Sequence, residues 1–188
     1  ISAARIQVYF IDNEDYFRRK QISFDADGKF FEDNGQRAIF FARGVLETVK
    51  KLRWAPDVIH CQGWISNLIP LYLKKAYNGD PIFSGSKIVT SLYGEIDKEA
   101  FFPSFKDNII FGGIKPADVS LLENPTGINL AKTAALYSDG IIFGDKNVDP
   151  ELVKFCQQEN IPNLPFNEEA MANGHYIEEY DGFYQQLQ

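Results

Sequence analysis

The stretch Pro56-Asp57-Val58-Ile59-His60-Cys61-Gln62-Gly63-Trp64 constrains this chain more than any other. Val58 and Ile59 form a short apolar run between a Pro-Asp start and a polar, glycine-containing exit, the pattern of a buried parallel strand entering a turn. From Ile65 the apolar residues Ile65, Leu68, Ile69, Tyr72, Leu73 and Ala76 share one helical face, which predicts a helix behind the strand. Pro70 removes one backbone bond from that pattern and predicts a bend or a later start. His60, Gln62 and Trp64 therefore fall at the carboxyl end of a strand, the edge where open α/β sheets hold their ligands.

The same alternation recurs along the chain. Arg5 to Asp12 reads as a strand, and Asn13 to Arg37 as a long polar loop with one helical turn near Asp15 to Arg19, a candidate lid or entrance. Asp33 and Asn34 are suited to cap a helix from about Gln36 to Arg53, with Ala38, Phe41, Ala42, Val45, Val49 and Leu52 as its buried face. Lys87 to Tyr93 and Gly140 to Phe143 are further apolar runs read as strands. Helices are predicted over Pro116 to Leu122, Ile128 to Tyr137 and, behind the Asp149-Pro150-Glu151 start, to about Glu159. A proline-rich link, Ile161 to Phe166, leads to an amphipathic segment from about Tyr176 to Leu187. The expectation is an α/β fold: a Rossmann-like parallel sheet with flanking helices over residues 1–160, and a tail with a helix, 161–188, packing on the same domain. Because a strand is read so close to Ile1, further sequence upstream is expected.

Charge and cysteine usage narrow the function. A net charge of −7 argues against a nucleic-acid backbone or an anionic membrane as main partner. Sixteen Phe and nine Tyr supply a core and several flat faces on which a sugar or base could rest. Cys61 and Cys156 match no metal or redox spacing and read as reduced thiols of a cytoplasmic protein. No run is long enough to span a membrane, no Gly-x-Gly-x-x-Gly occurs, and no carboxylate pair argues for hydrolysis.

Four landmarks point to a family: Val8-Tyr-Phe-Ile-Asp-Asn13; Asp33-Asn-x-x-Arg37; Pro56-Asp-Val-Ile-His60 with Trp64 and Pro70; and Ile128-Asn-Leu-Ala-Lys132 followed by Tyr137-Ser-Asp139. In this order, over residues 5–155, they resemble the amino-terminal catalytic domain of bacterial glycogen synthase and starch synthase. The likeness extends to short, single-domain glycogen-synthase-like proteins of Bacteroidetes type. The resemblance implies the amino-terminal half of a GT-B glycosyltransferase, a retaining enzyme that moves glucose from ADP- or UDP-glucose to an α-1,4-glucan. It implies no metal and no cofactor beyond the nucleotide-sugar substrate, and a second domain that holds most of that donor.

Two departures from the family pattern fall in one cleft. The family's His-Ala-His-Asp-Trp reads His60-Cys61-Gln62-Gly63-Trp64 here, so Gln62 stands where the active-site histidine belongs. Glutamine hydrogen-bonds a hydroxyl but cannot titrate. The family's Thr-Ile-His-Asn becomes Ser91-Leu92-Tyr93-Gly94. No catalytic residue is assigned. The candidate substrate contacts are His60, Gln62, Trp64, Tyr93 and Glu95, although His60 is equally readable as a buried residue and Trp64, at a helix start, is read more readily as a core anchor. Asp33, Asn34 and Arg37 read as a helix cap with a nearby ion pair, and His175 as a residue without a role. The expected partners are α-glucan and nucleotide-glucose, with a homo-oligomer or docking on a full-length synthase open. The alternative to an incomplete transferase is a catalytically silent glucan-binding or synthase-docking domain. The tail from Ile161 is expected to cover part of the cleft.

Overall fold

The computed structural model describes residues 6–188. Its sheet has four parallel strands in chain order, β1 (Val58–Gln62), β2 (Lys87–Leu92), β3 (Gly140–Phe143) and β4 (Asn163–Leu164). A sheet that grows in one direction through crossovers of one hand sends every connecting helix to the same face. That face carries α2 (Asn34–Leu52), α3 (Ile69–Lys75), α4 (Phe105–Ile109), α5 (Gly127–Leu136) and α6 (Pro150–Gln158). Ala38, Ala42 and Leu46 of α2, Leu71 and Tyr72 of α3, and Leu130 of α5 bury against Cys61 and Ile88. Ala131 and Ala135 of α5 and Leu152 and Cys156 of α6 bury against Leu92, Ile141 and Phe143. Both thiols are buried, and desolvation pushes Cys61 up to about 12 and Cys156 up to about 11, so neither is a ready nucleophile.

The opposite face has no crossover helix to cover it. After α6, the short α7 (Glu168–Asn173) leads to α8 (Tyr176–Leu187), which lies there with Phe183 buried against Val89 and Ile142. Contact is close at Gly140, where an added Cβ would stand 2.6 Å from Leu187 and 2.8 Å from Phe183.

Several local expectations meet a different outcome. Residues 6–12 form no strand: Ile6, Val8, Tyr9 and Phe10 are exposed, and Ile11 rests on α2 beside Gly44. Apolar alternation makes a strand only where a neighbour supplies hydrogen bonds, and none of the described strands pairs with this segment. Arg5 lies outside the described residues. Helix α3, by contrast, starts late as Pro70 predicts, with that proline in its first turn and a 3₁₀ turn, Trp64–Ser66, before it. In α2 the stripe Ala38, Ala42 and Leu46 is buried, whereas Leu52, six residues beyond Leu46 and so off that stripe, is exposed. Asp33 is the N-cap residue of α2 but makes no side-chain cap; its carboxylate accepts from Arg19 at 3.0 and 2.7 Å.

The loop between residues 13 and 37 is pinned. It opens with the single turn α1 (Glu14–Phe17), whose cap Asn13 accepts from the Tyr16 amide at 3.0 Å. Asn34 donates to the Ser23 carbonyl at 2.8 Å, and Arg37 donates to the Ile22 carbonyl and to the Asn34 side chain. At the far side of the sheet Asp139 accepts from Lys74 at 2.7 Å and from the Ile88 amide at 2.8 Å, tying the start of β3 to that of β2.

Candidate functional site at the carboxyl rim of the sheet

Parallel pairing sets His60 beside Val89 and Gln62 beside Ser91, so His60, Gln62 and Ser91 share the face covered by α8. His60 lies beneath the tyrosines of that helix, its ring edge-on to Tyr180 and Tyr184 at 5.8 Å from each. His60 Nε2 is 2.7 Å from Ser91 Oγ, and Nδ1 is 2.7 Å from the Tyr184 hydroxyl and 3.4 Å from the Gln62 amide nitrogen. Burial lowers the His60 pKa from 6.5 to about 4, so the ring is neutral near pH 7. Burial, with Tyr180 and Asp181 beside it, raises the Tyr184 phenol to about 12, so that phenol keeps its proton. The tautomer consistent with these partners has Tyr184 O–H and the Gln62 amide donating to Nδ1, and Nε2–H donating to Ser91.

Beyond His60 the rim opens. Gln62 is exposed, and Gly63 turns the chain away at φ 74° and ψ 151°, with open space where a Cβ would point. Tyr93 follows β2 and is half-buried, its ring laid over Gly144, where an added Cβ would stand 2.3 Å from it. Burial raises the Tyr93 phenol, and a Ser91 hydrogen bond opposes the shift. Glu95 is exposed and lines a neighbouring cleft of about 340 Å³ with Asp97, Asn147 and Asp149. Burial raises the Asp97 carboxyl, and the charges of Asp149 and Asp145 add to that, while a backbone hydrogen bond at Asp149 opposes it.

Trp64 leaves the candidate set. It is 5% exposed, packs among Phe30 and Phe101, and donates its indole N–H to Ser23 Oγ at 2.8 Å, so it anchors the 13–37 loop and has no free face for a sugar. Asp33, Asn34 and Arg37 also do structural work in that loop. His175 is exposed at the start of α8. Sequence reasoning missed Ser91, Tyr180 and Tyr184. Ser91 was accessible from the period-two alternation Val89, Ser91, Tyr93, and the tyrosines from the four-residue stripe Tyr176, Tyr180, Tyr184. The rim is rich in hydroxyl and amide groups and carries no charge at His60, which suits hydrogen bonding to a polyol. A histidine with both nitrogens partnered and a pKa near 4 is not poised to move protons near neutral pH.

Known proteins share this chain's sequence and fold. The family model for the starch synthase catalytic domain matches residues 1–162. A glycogen synthase of Chlorobium limicola is 35% identical over 142 residues, covering 74% of this chain and 28% of that protein. One of Clostridium perfringens is 32% identical over 157 residues, covering 83% and 31%. The catalytic domain of starch synthase IV from Arabidopsis thaliana, solved bound to ADP and acarbose, has a TM-score of 0.56 at 14% identity over 74% of this chain and 31% of that one, which shows the fold. The chain spans less than a third of the length of these relatives. The matched span stops before β4, α7 and α8, so the helix over His60 lies outside it. The fold agrees with a family match over most of the chain: this chain belongs to the starch synthase catalytic domain family.

Proposed function

We propose that this chain forms the acceptor side of a glycogen or starch synthase-type glucosyltransferase, transferring glucose from ADP- or UDP-glucose to an α-1,4-glucan. The observation that carries the reading is the uncharged hydrogen-bonding rim of His60, Gln62, Ser91 and Tyr93 at the carboxyl ends of adjacent parallel strands, in a chain of this family. Gln62 and Tyr93 meet sugar hydroxyls directly. His60 positions Gln62 and is itself held by Ser91 and Tyr184. The donor's diphosphate carries charge that this rim does not neutralise, so its binding falls to a second domain.

The cap over His60 favours one other reading, a catalytically silent domain that binds glucan or docks on a full-length synthase. Purified chain, alone and mixed with a carboxy-terminal synthase domain, is incubated with labelled ADP-glucose and glycogen. The first reading predicts transfer in the mixture, and a changed rate when Gln62→His restores the family residue. Glucan binding without transfer, unaltered by Gln62→His, selects the silent domain. Neither transfer nor glucan binding contradicts both.

A further inference from the structure

The two outer strands of the sheet are finished differently. β4 sits between Pro162 and Pro165, and a strand flanked by prolines offers little to a further strand. β1 has no such guard: Val58–Gln62 contains no proline, lysine or carboxylate, and its register with β2 is unbroken. The Lys87 amide donates to the Asp57 carbonyl at 2.9 Å, and the alternation of a parallel ladder then turns the backbone N–H and C=O groups of Val58 and His60 to the outer side. Those groups have no backbone partner among the described residues, since β2 is the one strand beside β1. An unguarded edge of this kind is a template for another strand.

A segment suited to that edge lies elsewhere in the chain. Residues 6–12 form no strand, yet the Tyr9 hydroxyl donates to Gln7 Oε1 at 2.9 Å, a contact between residues two apart that extended backbone brings to one side. In that form Ile6, Val8 and Phe10 face one way and Tyr9 and Ile11 the other. A strand apolar on both sides belongs in a sheet covered on both faces. At β1 the sheet is so covered, with Cys61 under the crossover helices and Val58 under α8. In its own protomer the segment does not reach that place: Ile11 rests on α2 beside Gly44, while Ile6 and Phe10 are 82% and 88% exposed. Large apolar side chains exposed in a row mark a contact surface. Charge points to which partner fits. The whole chain carries −7, so two copies repel in general, but neither 6–11 nor 58–62 holds a charged residue, so here they meet without local repulsion. We propose that residues 6–12 of one copy add as a strand to the β1 edge of a second copy, and reciprocally, in a two-fold dimer. The two-fold axis closes both edges at once and leaves none to propagate into a fibre. The interface is independent of the sugar reading and borders it, because the added strand lies next to the one that carries Gln62.

Sedimentation velocity over a concentration series tests the association, and a spin label locates it. The chain is expected to form a concentration-dependent dimer. Val8→Lys and Phe10→Lys should each weaken it roughly tenfold or more, the worth of burying one large apolar side chain. Both residues face solvent in the protomer, so the thermal midpoint of the dilute variants should stay where it is, and loss of the dimer cannot be laid to unfolding. Isotope-labelled chain is then mixed with unlabelled Val8→Cys chain carrying a nitroxide; Cys61 and Cys156 are buried and stay unmodified. The Val58 and His60 amides of the isotope-labelled copy should broaden. A monomer at every concentration, a dimer indifferent to Phe10→Lys, or broadening away from β1 would overturn the proposal. Broadening of β1 only when nitroxide and isotope share one dilute chain would show the segment folding back on its own edge, and would overturn the exchange.

Discussion

At the scale of single residues the site turns on His60. Its folded pKa is lowered to about 4 against an ordinary 6.5, so between those values the unfolded chain binds the proton and the folded chain does not. Stability is therefore whole above about pH 6.5, falls as the pH drops towards 4, and levels off below that, a loss of roughly 3 kcal/mol from this group. The groups facing His60 are Ser91 and Gln62 from the strands and Tyr180 and Tyr184 from α8, and none carries a charge in that window. A carbon-detected titration of the ring should give a midpoint near 4; one near 6.5 would mean that water reaches the ring and α8 does not cover it. Gly63 gives a second prediction. It holds φ 74° and ψ 151°, a conformation that side chains with a Cβ resist, so Gly63→Asp, which restores the family residue, should cost about 1–3 kcal/mol in denaturant unfolding. The space around it is open, so that cost is one of backbone alone.

At the scale of elements the question is how α8 stays on the sheet. Phe183 is its one fully buried side chain, against Val89 and Ile142, and Phe183→Ala should cost about 3–5 kcal/mol. The same variant should speed amide exchange through α8 and raise the His60 pKa towards 6.5. Unchanged exchange and pKa would show that α8 is held by something other than this contact. The run of α8 was legible in the sequence because Tyr180, Phe183, Tyr184 and Leu187 repeat at helical spacing. Strands β2 and β3 were legible because their apolar runs are bounded by turn residues. Strand β4 was not: its two residues sit between Pro162 and Pro165 and make no apolar run. Helix α7 carried a signal that was passed over, since Asn167 precedes Glu168 and Glu169 and accepts from the Ala170 amide at 3.1 Å. Residues 6–12 misled in the other direction, because alternation reports an apolar face and not the presence of a neighbouring strand. The Tyr184–His60 contact spans 124 residues and follows from topology: crossovers of one hand leave one face of the sheet for the chain's last helix. Local patterning does not carry that information.

At the scale of the whole molecule, one face of the sheet is closed by the crossover helices, the other by α8, and the strand ends between them present Gln62 and Tyr93 outward. No helix among the described residues is long and apolar enough to cross a membrane. All of this turns on sugar being held at the strand-end rim. The most direct measurement is a crystal structure of the chain grown with ADP-glucose and maltoheptaose. A glucose ring is expected at the carboxyl ends of β1 and β2, hydrogen-bonded by the Gln62 side chain and close to Tyr93. Sugar bound elsewhere with an empty rim, or a rim buried under α8 with Gln62 withdrawn from solvent, would contradict it.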